Sequence, residues 1–255
     1  MKSENAALAE RDADQFATTH WSVVLRADPA CADDNGNGPL TQLCRTYWRP
    51  IFAFICRRGY PVSDAQDLTQ DFFVMILKGN LLKLADPSRG RFRALLLRSL
   101  KNFLADAAEK RHAEKRGGKF EFVSWDDWMA EAPSHLSIPV RTLERLSPER
   151  VFDLRWAATI VERALQRLRE ECESRGRRRL FDLMSIYLTA ERADVSYLSL
   201  AQQLGMPEAD VKRLLYQMRQ RHRDLLRDEV AHTVERPEDI DAEIRYLCLT
   251  LAAAE

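Results

Sequence analysis

The sequence has almost no alternating apolar and polar pattern of the kind a half-buried strand needs, and only nine glycines among 255 residues. That excludes a turn-rich sheet protein and favours helices. Long apolar runs are missing too. The longest, such as IFAFIC from Ile51 to Cys56, are far too short to span a bilayer, and the opening MKSENAALAERDAD lacks the apolar centre of a secretory leader. We expect a cytoplasmic protein with no membrane insertion. The five cysteines, Cys31, Cys44, Cys56, Cys172 and Cys248, are odd in number, widely spaced and never C-x-x-C. Neither a disulfide framework nor a zinc site is suggested.

Catalytic signatures are equally scarce. His20, His112, His135, His222 and His232 are scattered, and there is no G-x-S-x-G, H-E-x-x-H or phosphate-cradling glycine loop. The expectation is a protein that is not an enzyme and has no catalytic residues, metal site or cofactor. Net charge is absent as well, since 39 basic residues face 39 acidic ones. A free-standing DNA binder ordinarily relies on a positive field.

What is present is helical rhythm. The composition, 45% hydrophobic, is ordinary for a folded chain of this length. FATTHWSVVLRA and LCRTYWRPIFAFICRRGY carry apolar residues at helical spacing, separated by the breakers DDNGNGP. PVSDAQDLTQDFFVMILKG predicts a helix with Ser63 as N-cap, Gln66 completing a capping box, a core stripe of Leu68, Phe72, Met75 and Ile76, and Gly79 at its end. RFRALLLRSLKNFLADAAEKRHAEKR predicts another, with Phe92, Leu95, Leu96, Ser99 and Phe103 turned inward. After Gly118 the period is lost among aromatics, prolines and acids. It resumes at Val151 and continues through RRRLFDLMSIYLTAERA, LSLAQQLGMPEADVKRLLYQMRQRH and the acidic-first PEDIDAEIRYLCLTLAAAE.

The fold class is therefore all-α: two helical domains joined by a linker, the C-terminal one containing a helix-turn-helix. The divisions are a disordered extension 1–15, a helical domain 16–116, a linker 117–150 and a second domain 151–255 with a C-terminal helical extension. Charge follows these segments. Arg89 to Lys119 holds ten basic and three acidic residues and Val211 to Arg227 six and one, whereas Glu121 to Glu149 holds two and six and Asp228 to Glu255 two and eight. Neutrality on average conceals two basic stretches suited to polyanions.

Three stretches carry chemistry. With Gly205 as the turn glycine, Leu200, Leu204, Met206, Val211 and Leu214 occupy the apolar positions of a helix-turn-helix, and Ala201 is the small residue at the crossing. The second helix then offers Glu208, Ala209, Lys212, Arg213 and Tyr216 to a major groove, with Arg219, Arg221 and Arg223 near phosphates. A helical hairpin with a solvated basic face is the plain alternative. In DAQDLTQD, Asp64, Asp67 and Asp71 share one flank. Helix-start electrostatics account for the first two, magnesium binding to a diphosphate would need a second acidic cluster that the sequence does not offer, and a protein-docking face is the third reading. Finally, Arg91, Arg98, Lys101 and Asn102 lie on one basic helix with Phe92 and Phe103 interleaved, a pattern suited to a phosphate backbone and unstacked bases, though Phe103 also fits the core.

With these stretches in this order, the chain resembles a bacterial RNA polymerase sigma factor of the extracytoplasmic-function group. DAQDLTQDFFVMIL is similar to that family's polymerase-docking helix, FRALLLRSLKNFLADAAEKR to its promoter-melting helices, and SLAQQLGMPEADVKRLLYQMRQRHRDLL to its upstream-element reader; the likeness runs from about Phe16 to Arg227. It implies that Asp64, Asp67, Gln70 and Asp71 face the clamp helices of the largest polymerase subunit. Arg91, Arg98, Lys101, Asn102, Lys110 and Arg111 would hold the melted non-template strand of the downstream promoter element. The linker would thread the RNA exit channel, and Glu208, Ala209, Lys212, Arg213, Tyr216, Arg219, Arg221 and Arg223 would take the upstream element as duplex. Implied partners are core RNA polymerase, promoter DNA and, in some members, an anti-sigma factor. Polymerase supplies much of the DNA affinity in that family, which reconciles the zero net charge with DNA reading. The rival is a stand-alone helix-turn-helix regulator with a helical effector domain.

Overall fold

The computed structural model describes residues 39–78, 91–114, 140–189, 195–234 and 236–253. The extension 1–15, the expected helix in FATTHWSVVLRA, Gly79 and the linker up to residue 139 lie outside the described residues. All regular structure among the described residues is helical. The α-helices are α1 Pro39–Arg57, α2 Val62–Lys78, α3 Phe92–Glu114, α4 Val140–Arg145, α5 Pro148–Ser174, α6 Arg178–Met184, α7 Tyr197–Leu204, α8 Glu208–Ala231 and α9 Ile240–Ala252, with short 3-10 turns at Ser185–Tyr187 and Pro237–Asp239. The chain forms two compact units, one ending at Thr159 and resuming at Val230, the other spanning Ile160 to Glu229.

In the first unit every residue from Pro50 to Ile55 is buried. That stretch is covered on every side, and α2 packs against α1. From α2 come Ala65, Leu68, Phe72, Phe73 and Ile76; from α3, Phe92, Leu96, Leu100 and Leu104. The Phe72 ring meets Phe103 at 5.5 Å between centroids, and Tyr47 meets Phe92 edge-on at 5.5 Å. Each such fully buried side chain contributes about 1.5–3 kcal/mol of transfer free energy. Met75, Leu95 and Phe103, all expected inside, are half-buried at the margin of this core.

One local expectation is corrected. Helix α2 already includes Val62, so Ser63 lies within its first turn rather than at the cap, and its hydroxyl donates to Asp64 Oδ1 at 3.4 Å instead of closing a capping box. The backbone starts the helix without it: Ala65 N–H donates to the Pro61 carbonyl at 2.8 Å, and the proline before Val62 presets the entry. The proposed boundary at residue 151 falls inside α5. Helix α9 falls in the first unit, where its Glu243 meets a buried cation.

That cation is Arg93. Its Nε donates to Glu243 Oε1 at 2.8 Å and its Nη1 to Asp153 Oδ1 at 2.8 Å, while Cζ sits 4.0 Å from the Tyr246 ring centroid and 4.9 Å from that of Trp156. Tyr246 closes the network by donating its hydroxyl to Asp153 Oδ2 at 2.6 Å. Burial by itself would lower the Arg93 pKa; the hydrogen bond and charge of Glu243, with the charge of Asp153, raise it instead. The guanidinium stays charged in the interior because two carboxylates and two aromatic faces replace its water.

In the second unit α5 supplies Ala164, Leu168 and Cys172 to a core with Phe181, Met184, Leu188, Val195, Leu200, Ala201, Val211, Leu215, Met218 and Leu225. Buried Glu229 is met by Arg163 Nε at 2.6 Å and Arg167 Nη1 at 2.9 Å. Burial would raise the Glu229 pKa; the charge and hydrogen bonds of these two arginines lower it.

Candidate nucleic-acid interface

Helix α7 ends at Gly205, whose φ of 65° and ψ of 35° place it in the left-handed region. A residue with a Cβ is penalised there, whereas glycine is not. The N–H groups of Gly205 and Met206 both donate to the Ala201 carbonyl, which closes the helix and reverses the chain within three residues. Pro207 then accepts the N–H groups of Asp210 and Val211 at 3.0 and 3.2 Å, starting α8. Leu200, Ala201, Val211 and Leu215 are buried between the two helices, with Leu204, Met206 and Leu214 partly covered.

This burial leaves Ala209, Lys212, Arg213 and Tyr216 exposed on one face of α8, with Glu208 and Asp210 half-buried beside them. Lys212 reaches Glu208 at 2.6 Å and Arg213 reaches Asp210 at 2.9 Å. Both are short-range pairs on one exposed helix, so they hold the side chains in register at little energetic cost to release. Lys212 Nζ also lies 5.2 Å from the Tyr197 ring centroid. Together Tyr197, Lys212, Leu215, Tyr216 and Arg219 line a shallow groove of about 290 Å³ with aromatic walls and a cationic rim. Such a surface suits flat bases and anionic backbone.

The other arginines of α8 are less uniform. Arg219 donates from Nε and Nη2 to the Tyr187 carbonyl at 3.2 and 2.7 Å, a structural tie. Arg221 forms a two-pronged pair with Glu171, at 2.9 and 2.6 Å, which lowers the Glu171 pKa. Arg223 is exposed. His222 is buried, and desolvation, with a smaller push from Arg223, lowers its pKa.

In the first unit the acidic set lies on α2. Asp67, Gln70 and Asp71 are exposed in succession with Val74 and Lys78, and Asp64 is half-buried. Arg91, just before α3, and Arg98, Lys101 and Asn102 on it are all exposed, whereas the side chains of Lys110 and Arg111 lie outside the described residues. Arg91 Nε is 3.0 Å from Glu243 Oε2 and Lys101 Nζ is 2.7 Å from Glu149 Oε1, an interaction that lowers the Glu149 pKa. Among the described residues no group of three or more acidic, histidine or cysteine side chains is arranged to hold a metal ion. No family model, curated protein or solved structure matches this chain.

Sequence reasoning passed over two features. Nothing local marks Arg93, since its partners stand 60 and 150 positions away. The run Arg175-Gly176-Arg177-Arg178-Arg179 was read only as helix, although four arginines around a glycine were visible in the sequence.

Proposed function

We propose that this chain is a transcription initiation factor of the sigma type, which brings core RNA polymerase to promoters and helps to open them without catalysing a covalent step. The observation that carries the reading is the exposed Lys212–Arg213–Tyr216 face of α8, set off from α7 by a left-handed glycine in the manner of a DNA-reading helix-turn-helix. In this reading two domains divide the labour. The α2 acids, Asp64, Asp67 and Asp71 with Gln70, dock on polymerase. Arg91 with Arg98, Lys101 and Asn102 of α3 takes the opened strand, and α8 reads the upstream duplex. No described helix is long and apolar enough to cross a membrane, which suits an expected place of action in the cytoplasm.

The test is transcription by core RNA polymerase over a genomic promoter library, with and without the full chain. Addition of the chain should give new, discrete start sites, and the Asp67→Arg, Asp71→Arg double variant should lose them while keeping the native circular dichroism spectrum. Absence of any chain-dependent start site would refute the proposal, and dimeric binding to a palindromic duplex without polymerase would favour the stand-alone regulator.

A further inference from the structure

The turn joining α5 to α6 contains Arg175, Gly176 and Arg177, and α6 then opens with Arg178 and Arg179. All four arginines are exposed. The turn is defined rather than loose: Gly176 adopts φ 66°, its N–H donates to the Glu173 carbonyl at 2.9 Å, and Arg177 N–H reaches back to the Cys172 carbonyl at 2.7 Å. That pair of bonds closes α5 with a left-handed glycine and makes Arg177 the residue from which α6 begins. Four guanidinium groups are thereby gathered on one tight corner.

Helix energetics do not account for them. Arg175 suits the negative end of α5, but Arg178 and Arg179 occupy the first turn of α6, where the dipole disfavours cations and where no acidic residue stands. Two arginines have local partners: Arg178 pairs with Glu173 at 2.8 Å, and Arg179 donates to the Gln203 carbonyl at 3.0 Å. No ion pair of Arg175 or Arg177 is seen among the described residues, although the Arg175 charge, after the hydrogen bond and charge of Arg221, helps to lower the Glu171 pKa. These two arginines line a pocket of about 100 Å³ together with Arg221, the Glu171 carboxylate that Arg221 holds, Gln217 and apolar side chains such as Leu180 and Met218. The Arg179 bond is the informative one. It ties the corner to the last turn of α7, two residues before the left-handed Gly205 from which the α8 face departs.

We infer that this arginine corner is a second phosphate-binding surface, which takes the backbone of duplex DNA. The inference rests on the DNA reading proposed above and extends it from one helix face to a composite surface, with a sequence-reading part and a sequence-blind part. Guanidinium groups pair with phosphate through two parallel donors, so the exposed Arg175 and Arg177 are the members that would bind first.

The experiment measures fluorescence anisotropy of two labelled duplexes of unrelated sequence with the full chain across a salt series, for the wild type and for Arg175→Ala, Arg177→Ala. The double variant should lose affinity for both duplexes by the same factor. Its plot of log affinity against log salt should flatten by about 2, since each phosphate contact contributes about 0.9 to the slope. The Arg175→Lys, Arg177→Lys variant should restore most of the slope, because charge rather than geometry sets counterion release. Unchanged affinity and slope would overturn the inference, as would a loss confined to one duplex or a larger loss on single-stranded RNA of equal length. No measurable binding to either duplex at the lowest salt would overturn it too. Chain-dependent transcription is scored separately, so failure of the sigma reading and failure of the arginine corner give different results.

Discussion

Arg93 and Glu243 stand 150 positions apart and meet at 2.8 Å in the interior, each nearly sealed from solvent. The contact makes the C-terminal helix part of the unit that holds α3. It also gives Glu243 a second task, since Oε2 of the same carboxylate lies 3.0 Å from Arg91 Nε.

Removing one member of a buried ion pair strands the other, and the cost greatly exceeds that of an exposed pair. Glu243→Ala should therefore destabilise the chain by about 3–5 kcal/mol, against about 0–1 kcal/mol for Glu149→Ala, whose partner Lys101 remains solvated. Urea unfolding followed by tryptophan fluorescence checks this, because Trp156 lies against Arg93. Equal midpoints for the two variants would refute the assignment.

What was legible in the sequence was what obeys a local period. Leu68, Phe72 and Ile76 recur at helical spacing and are buried, and the exposed Asp67, Gln70 and Asp71 are their complement. Gly205 was legible because the turn chemistry is confined to five residues. Arg93 was not, since a charged residue on an amphipathic pattern scores as surface and only tertiary packing brings Asp153, Glu243 and Tyr246 to it. Ser63 was misplaced for the opposite reason. The local capping pattern was present, but Pro61 and Val62 start the helix earlier.

At Gly205 an added Cβ would meet nothing within 4 Å, so a substitution there is not opposed by a clash. The penalty is in the backbone, which would have to hold an alanine at φ 65°. Gly205→Ala should cost about 1–2 kcal/mol, and Gly205→Asn less, because asparagine tolerates the left-handed region better. Thermal melting of the two variants ranks them, and an equal or reversed order would contradict the turn geometry.

His222 supplies a pH dependence. It is buried with its pKa lowered by desolvation and by Arg223, so the unfolded chain binds the proton more readily than the folded one. Stability should consequently fall as pH drops below about 6.5, the ordinary histidine value, and should stop falling from this source once the pH is below the folded value. His222→Gln should flatten the curve in that window while leaving the carboxylate transition at lower pH, where Glu229 and Glu171 titrate below their ordinary range. Unfolding free energies measured at half-unit pH steps would show it. A slope retained in the variant would mean that another group titrates there.

Under the proposed sigma reading, the α8 face yields the sharpest separation of roles. Arg213 is exposed, leaves a short-range pair with Asp210 at little cost, and projects beside Lys212 and Tyr216, so it is suited to a base edge. Arg213→Ala should cost about 1–3 kcal/mol of discrimination at a few adjacent base pairs. Arg223, farther along the same helix and also exposed, is suited to phosphate; its alanine variant should weaken binding to all sequences alike and reduce the salt slope by about 0.9. Arg221 is different from both, because its two-pronged pair with Glu171 must be broken before it can serve a ligand. Holoenzyme affinity for a panel of upstream-element variants at two salt concentrations distinguishes the three. If Arg213→Ala leaves the sequence preference intact while Arg223→Ala alters it, the reading face lies elsewhere on the helix.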